Sequence, residues 1–278
     1  MTDVLETSPT PLPPVCVAVV SIGRSGTSLV SRLLHELLDI DFGPATEHIG
    51  ADASNPDGYF ENREIMAFNE RLLCSQGFSV AALPPLGFFE QIDLAQRRVW
   101  ADEAVALLAK YATNRPRFGF KDPRLSLDFP IWRDGTPDLV PIIMFRHPAA
   151  VAASAAAQMG IDAAAVIGLW RQYYQRVFAD TRGMHRLIVS FERLLASPQS
   201  EFARLATHLR VPEQRYRAQA SRLPTIIRPT QSRHHHLAAG TDSSAAMDAK
   251  TTALYAYLCD CAEANRAPDE TQLARLTA

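Results

Sequence analysis

A glycine-rich segment near the start of the chain carries residues that are well suited to bind an anion. It reads Gly23, Arg24, Ser25, Gly26, Thr27 and Ser28. The two glycines let the backbone turn tightly and approach a ligand, and the hydroxyl residues can begin a helix. A helix that begins here directs free N–H groups and the positive end of its dipole at the loop. The segment therefore predicts a binding site for phosphate or sulfate.

This segment differs from the Walker A loop of nucleotide triphosphatases. Walker A places a lysine and then Ser or Thr directly after its second glycine, whereas Thr27 follows Gly26 here and the basic residue is Arg24. The pattern favours a phosphate loop that carries its own cation, without the Lys–Mg²⁺ arrangement. Short glycine motifs also arise by chance, so an ordinary strand–turn–helix junction is the alternative when the segment is considered alone.

Two further cations, Lys121 and Arg146, stand at the ends of predicted strands. Ligands of open α/β sheets bind at the carboxyl ends of the strands, so we expect these side chains to meet Arg24 at one edge. Lysine is rare in this chain, which has three, at Lys110, Lys121 and Lys250. This rarity favours a functional role for Lys121, with a structural ion pair to a carboxylate at the sheet edge as the alternative.

Strand-like and helix-like segments alternate along the chain. This pattern predicts an α/β fold, with a parallel sheet and helices on both faces. The predicted strands cover 15–22, 118–121, 139–145 and 187–191, with a further short strand at 39–44. Helical patterns cover about 27–37, 65–73, 91–112, 149–159, 162–179, 200–209, 212–223 and 243–264.

The composition favours a soluble, cytoplasmic protein. The net charge of −2 does not favour nonspecific nucleic-acid binding, and the four cysteines lack both paired Cys-x-x-Cys spacing and the density of a secreted disulfide scaffold. We expect residues 1–14, which are acidic and proline-rich, to form a flexible tail, and no apolar run is long enough to span a bilayer. Residues 15–278 are expected to form a single domain with a helical C-terminal part at about 241–278.

No metal site is expected from the sequence. His234, His235 and His236 are consecutive and lack the ordered spacing of metal ligands. An anion-contacting or purely surface segment suits them better.

Five segments of the chain follow one another in the order found in a known enzyme family. They are Ser21 to Ser28, Asn55 to Asn62, Lys121 to Arg124, Phe145 to Ser154 and Val189 to Leu195. The first resembles the 5′-phosphosulfate loop of sulfotransferases that use 3′-phosphoadenosine 5′-phosphosulfate (PAPS), in the arginine form of the tyrosylprotein and many bacterial enzymes. The fourth resembles their 3′-phosphate motif, an arginine at a strand end with a serine eight residues on. The resemblance extends from Val15 to about Leu209 and implies the P-loop-like sulfotransferase fold.

The resemblance implies PAPS as co-substrate, no metal ion, and a hydroxyl or amine acceptor on a carbohydrate, lipid or small metabolite. Gly23, Arg24 and the backbone amides of 25–28 would hold the 5′-phosphosulfate. Arg146 and Ser154 would hold the 3′-phosphate. The segment 228–236, with Arg233, would close over that phosphate if the resemblance extends so far.

The catalytic groups implied are Lys121, Arg24 and Glu61. Lys121 and Arg24 would stabilise charge on the leaving phosphate, and Glu61 is the candidate general base, with Glu47 or His48 as alternatives.

Five large aromatic side chains are expected to pack in the core or between helices, and one of them is a candidate to stack on the adenine. They are Trp100, Trp132, Trp170, Tyr173 and Tyr174.

Two other functions are also compatible with the sequence. One is a small-molecule kinase with a variant phosphate loop, although the chain lacks the Walker-type lysine next to Ser or Thr that it would need. The other is a noncatalytic nucleotide-binding protein of the same fold.

Overall fold

A four-stranded parallel sheet lies at the centre of the described structure. The computed structural model describes residues 12–52, 55–228 and 247–277. The strands are β1 (Val15–Val20), β2 (Arg117–Lys121), β3 (Leu139–Phe145) and β4 (Leu187–Ser190), and their order in the sheet is β2-β1-β3-β4. All three neighbouring pairs are parallel, which confirms the predicted fold class.

Both faces of this sheet are buried. Side chains alternate across a strand, so Ala18 and Val20 of β1 pack in a first apolar core, whereas Val17 and Val19 pack in a second. The residues of β3 divide between the two cores in the same way. The nearly unbroken apolar run of β1 is thus explained by a strand that is covered on both sides.

Thirteen α-helices occur in the described residues. In chain order they are α1 (Thr27–Leu37), α2 (Arg63–Ser75), α3 (Phe88–Gln91), α4 (Leu94–Ala112), α5 (Leu125–Gly135), α6 (Pro148–Met159), α7 (Ala163–Asp180), α8 (Phe191–Ala196), α9 (Pro198–His208), α10 (Glu213–Gln219), α11 (Leu223–Ile226), α12 (Ala249–Glu263) and α13 (Glu270–Thr277). Helices α2 to α7, α12 and α13 contribute to the first core, and α1 and α8 to α11 to the second. Helices therefore cover both faces of the sheet, as predicted.

Side-chain caps set the beginnings of α2 and α4. The Asn62 side chain accepts hydrogen bonds from the backbone N–H groups of Glu64 and Ile65, and Asp93 caps α4 in the same manner. These caps satisfy donors that have no partner within the helix. The helix predicted from residue 91 therefore begins at Leu94, and a separate short helix, α3, precedes it.

The segment 39–44 is not the strand that was predicted. Asp39 (φ 55°) and Gly43 (φ 86°) have left-handed backbone conformations, which interrupt an extended chain. The Gly43 N–H donates to Asp41 Oδ1 at 2.6 Å, so the segment turns back on itself. A single bridge, from Asp41 to Phe118, joins it to β2.

Helix α5 was not predicted, because Pro130 lies within it and normally interrupts a helix. The backbone is non-helical at Asp128 (φ −117°, ψ 17°), so two short helical pieces meet there at a kink. Helix α13 lies in the C-terminal part that was expected to be helical, although no separate helix was predicted there. The predicted helix 243–264 is seen as α12 from Ala249, while residues 243–246 lie outside the described part of the chain.

Within the described ranges, no helix combines the length and the apolar character needed to cross a membrane.

Candidate active site

A cavity of about 860 Å³ opens at the carboxyl edge of the sheet. Three of its charged lining residues, Arg24, Lys121 and Arg146, lie at or shortly after the ends of β1, β2 and β3. The three cations that the sequence placed at strand ends therefore line one cavity. This position follows the rule that ligands of open α/β sheets bind where the strands end.

The loop between β1 and α1 has the conformation of an anion-binding turn. Arg24 (φ 69°) and Gly26 (φ 90°) are both left-handed, and Gly26 caps α1 without any side chain bonded to the first turn. The first N–H groups of α1 are thus free of a side-chain cap and lie at the cavity. A Cβ on Gly26 would lie 2.3 Å from Phe191 Cδ2, so this position requires glycine.

All but one of the residues predicted to hold the 5′-phosphosulfate line the cavity. Those that line the cavity are Gly23, Arg24, Gly26, Thr27 and Ser28. Ser25 is fully buried and is not among the lining residues.

Arg24 contacts both Arg146 and Ser154 at the cavity. Arg24 Nε donates to Ser154 Oγ at 3.0 Å, and Arg146 Nη1 donates to the backbone oxygen of Arg24 at 3.2 Å. The Arg146 guanidinium lies 4.5 Å from the centre of the Phe191 ring. The arginine at the end of β3 and the serine eight residues on are thus joined through Arg24.

Arg146 is buried, and most of its donors are unused. Its Nε and Nη2 atoms have no hydrogen-bond partner among the described residues. Burial lowers the pKa of Arg146, Glu192 opposes this effect, and the charge of Arg24 adds to it. Buried donors without partners are costly, and a phosphate oxygen would satisfy them in the geometry that guanidinium favours. The site therefore fits a ligand with a phosphate at this position.

Lys121 and Glu61 form a buried ion pair near the first turn of α1. Lys121 is 2% exposed, and its Nζ also lies 3.5 Å from Ser28 Oγ on the first turn of α1. The Tyr59 ring lies on the same ammonium group, with its centre 5.9 Å from Nζ. Lys121 therefore pairs with a carboxylate, as the structural alternative expected, and it also lines the cavity.

The other two candidate bases, Glu47 and His48, do not line the cavity. His48 Nε2 lies 2.7 Å from the backbone oxygen of Phe42, and its ring packs on Phe60. Glu47 ends a short 3₁₀ turn, Ala45–Glu47. Glu61 is the one candidate base of the three that reaches the cavity within the described chain.

Further residues reach the site although the sequence did not single them out. Asn55 Nδ2 donates to Ser28 Oγ at 3.0 Å, and Tyr59 lies on Lys121. Both belong to the segment 55–62, from which only Glu61 was proposed as a site residue. The family resemblance of the whole segment was the available signal for them.

Among the five aromatic candidates for adenine stacking, Tyr173 alone lines the cavity as far as the chain is described. Its hydroxyl donates to the backbone oxygen of Val80 at 3.1 Å. Trp132, Trp170 and Tyr174 are buried in the first core, and Trp100 is partly buried against it.

The predicted site residue Arg233 and the three histidines that follow it lie outside the described residues. Arg228, the last described residue before them, lines the cavity. In the described ranges, no group of three or more His, Cys, Asp or Glu side chains is placed to hold a metal ion.

A family model described as the Sulfotransferase family matches residues 14–215 of this chain. The matched range is more than half of the chain and includes Arg24, Glu61, Lys121, Arg146 and Ser154. A search of curated proteins finds no match.

The chain is also similar to solved sulfotransferase structures at low identity. One is the sulfotransferase domain from the Curacin biosynthetic pathway, with 14% identity, coverage of 86% of this chain and 84% of that chain, and a TM-score of 0.44. Another is the sulfotransferase domain from the Synechococcus PCC 7002 olefin synthase, with 19% identity, coverage of 97% and 96%, and a TM-score of 0.46. A third is sulfotransferase STF1 from Mycobacterium tuberculosis, with 14% identity, coverage of 76% and 71%, and a TM-score of 0.40.

Proposed function

The chain belongs to the sulfotransferase family, and on that premise we propose that it transfers the sulfuryl group of PAPS to a hydroxyl or amine of an acceptor. The observation that carries the choice of donor is the Arg146 guanidinium, which is buried with two nitrogen atoms unpartnered among the described residues. PAPS differs from ATP in carrying a phosphate on the 3′ oxygen of its ribose. A second phosphate site, separate from the loop of α1, is what that difference requires.

The donor would be held at two points. Arg24 and the N–H groups at the start of α1 would bind the 5′-phosphosulfate, because they combine a fixed cation with the positive end of a helix dipole. Arg146 and Ser154 would bind the 3′-phosphate. The hydrogen bond from Arg24 to Ser154 joins these two points, so the same contact would orient both ends of the nucleotide.

The chemical step would take place beside Lys121 and Glu61. PAPS supplies a sulfuryl group on a good leaving group. The S–O bond to the 5′-phosphate breaks, and a bond forms between sulfur and the acceptor oxygen or nitrogen. The acceptor proton passes to the Glu61 carboxylate, and the electron pair of the broken bond remains on the bisphosphate product. Lys121 would stabilise that negative charge, in the way that fixed donors stabilise an oxyanion.

Calorimetry with product nucleotides tests the donor. We expect adenosine 3′,5′-bisphosphate to bind at least tenfold more tightly than adenosine 5′-monophosphate, which lacks only the 3′-phosphate, because charge-assisted hydrogen bonds contribute about 1.5 kcal/mol or more each. Mg²⁺ should leave the affinity unchanged. Tighter binding of ATP with Mg²⁺ than of the bisphosphate would instead support a kinase and overturn this proposal.

Paired substitutions test the catalytic roles. The Lys110–Glu64 ion pair on α4 and α2 is exposed, whereas Lys121–Glu61 is buried in the cavity, so the same changes can be made in both pairs. We expect Lys121→Met to lower kcat for sulfuryl transfer by about 100- to 1,000-fold and Glu61→Gln by at least 100-fold. Lys110→Met and Glu64→Gln should change kcat by less than twofold.

Folding must be separated from catalysis in this experiment, since Lys121→Met leaves the Glu61 carboxylate buried without its partner. The double variant Lys121→Met/Glu61→Gln removes both charges and serves as the second test. We expect it to bind the bisphosphate within about tenfold of the wild type and to remain inactive. Full activity in this double variant would show that the pair is structural only.

A further inference from the structure

Part of the cavity lining consists of aliphatic side chains and carries no charge of its own. We call it the apolar wall, and it consists of Val80, Ala155, Met159, Ile161, Val166 and Leu169. These residues come from the C-terminal half of α6, the turn that follows it, the first half of α7 and the loop before α3. The wall borders the same cavity as Lys121 and Glu61.

Polar side chains near the apolar wall are engaged within the protein. Tyr173 donates its hydroxyl to the backbone oxygen of Val80, and Gln158 Nε2 lies 3.3 Å from the Tyr59 hydroxyl. Arg124 is held by ion pairs with Glu70 and Asp122. A carbohydrate bears a hydroxyl on nearly every carbon, and placing those groups against this wall would cost hydrogen bonds to water without replacing them.

The apolar wall also includes large apolar side chains that are exposed to solvent. Three of the seven large apolar side chains that are exposed in the described residues belong to it: Val80 at 42%, Met159 at 55% and Ile161 at 39%. Contiguous exposed apolar surface beside a polar site is typical of a binding groove. A ligand with an aliphatic portion would cover it.

Resting on the sulfotransferase function proposed above, we propose that the acceptor is an amphiphile whose reacting hydroxyl ends an aliphatic chain. The hydroxyl lies at Lys121 and Glu61, and the chain lies along the apolar wall. The cavity volume of about 860 Å³ is near the upper end of the range for small-molecule pockets, which leaves room for an acceptor chain beside the donor nucleotide.

A homologous series of acceptors tests this assignment. Sulfuryl transfer from PAPS is measured with 1-hexanol, 1-octanol and 1-decanol, and with glucose and N-acetylglucosamine as polar acceptors. We expect kcat/KM to rise about two- to fourfold for each added methylene, because each buried methylene contributes up to about 0.8 kcal/mol. Equal values across the alcohols, or faster transfer to the sugars, would overturn the assignment.

Binding experiments separate this inference from the function on which it rests. Failure of adenosine 3′,5′-bisphosphate to bind would contradict the sulfotransferase proposal itself. When the bisphosphate binds, calorimetry of the bisphosphate-loaded protein with the alcohols examines the wall alone. Affinity that grows with chain length supports the amphiphilic acceptor, and no binding of 1-decanol overturns it whether or not turnover is seen.

Substitutions at the rim of the apolar wall test the assignment, and a substitution elsewhere on the surface is the matched control. Met159→Gln and Ile161→Asn, combined, make the rim of the wall polar at positions that are exposed and tolerant of change. We expect at least a tenfold loss of kcat/KM for 1-decanol, a smaller loss for 1-hexanol and unchanged affinity for the bisphosphate. Val99→Gln, on an exposed valine of α4 outside the cavity, should alter none of these values, and an equal effect of both variants would overturn the assignment.

Discussion

The side chains of Arg204 and Arg146 are both largely buried, and the two arginines differ in how the protein uses their nitrogen atoms. Arg204, on α9, donates from Nε to Asn265 at 2.7 Å, from Nη1 to Glu201, and from Nη2 to the backbone oxygen of Ile188 at 3.1 Å. Arg146, at the end of β3, makes one such bond, from Nη1 to the backbone oxygen of Arg24. Its other two guanidinium nitrogens have no partner in the described residues.

The contrast distinguishes an arginine that is neutralised within the fold from an arginine whose donors are available to a ligand. Glu201 is fully buried and is bonded by both Arg193 and Arg204, so the fold itself neutralises this cluster. No described carboxylate bonds to Arg146, and its pKa is lowered by burial. A buried donor without a partner destabilises the folded protein by about 1–3 kcal/mol, and a hydrogen bond to a bound phosphate would remove this penalty. Substitution of Arg204 should therefore affect stability, and substitution of Arg146 should affect nucleotide binding.

Arg204→Met should give the largest change in stability. It leaves the Glu201 carboxylate buried with one partner fewer and removes three hydrogen bonds. We expect the free energy of unfolding in urea to fall by about 3–5 kcal/mol, while the folded variant binds adenosine 3′,5′-bisphosphate as the wild type does. A loss of nucleotide affinity in protein that is still folded would contradict the separation.

Arg146→Met should have the opposite pattern. Two charge-assisted hydrogen bonds to the 3′-phosphate would be lost, so we expect the affinity for the bisphosphate to fall about 100-fold, or about 3 kcal/mol. The affinity for adenosine 5′-monophosphate should stay within threefold of wild type. The free energy of unfolding should be unchanged or higher, because the variant no longer buries an unpaired cation. Equal losses for both nucleotides would assign Arg146 to the shape of the loop rather than to the phosphate.

The Arg204 region should also respond to pH. His208, on the same helix, is partly buried against His185, and burial together with the charges of His185 and Arg204 lowers its pKa to about 4. The unfolded chain binds a proton near pH 6.5 and the folded protein does not, so stability is present above pH 6.5 and is lost as the pH falls toward 4.

His208→Asn removes this proton-linked loss. In wild type, the His208 contribution should lower the free energy of unfolding by about 2 kcal/mol between pH 7 and pH 5. The difference between the free energies of unfolding at the two pH values, measured in urea, should be smaller in the variant by that amount. An unchanged pH dependence would mean that His208 is protonated equally in both states.

The sequence was sufficient for the features that depend on local pattern. β3 was predicted at its observed bounds, 139–145, because an unbroken apolar run of that length has few other structures. Arg24, Lys121 and Arg146 were predicted to meet because parallel strands end at one edge of the sheet. Helix α5 was missed because Pro130 argues against a continuous helix, whereas the kink at Asp128 puts Pro130 in the first turn of the second piece, where proline is tolerated.

The site features that were not predicted depend on contacts between distant parts of the chain. Lys121 and Glu61 are sixty residues apart, and no spacing rule pairs them. The two unused nitrogens of Arg146 are likewise invisible in sequence, because they are defined by the partners that the fold does not bring near. Val99 of α4 is 60% exposed although it is apolar, because the buried face of this helix passes through Ala101, Ala104 and Leu108.

Ser154→Ala should have the smallest effect and the most specific one. Ser154 Oγ accepts a hydrogen bond from Arg24 Nε at 3.0 Å, so it can act on the 3′-phosphate directly or by positioning Arg24. If it binds the phosphate, as we propose, the affinity for the bisphosphate falls about fivefold, near 1 kcal/mol, and that for adenosine 5′-monophosphate stays within twofold. Ser31→Ala, at a buried serine of α1 that does not line the cavity, is the matched control and should change neither affinity. Equal losses for both nucleotides in Ser154→Ala would instead make Ser154 a positioning residue for Arg24, and Arg146 would then be the one described side chain specific to the 3′-phosphate.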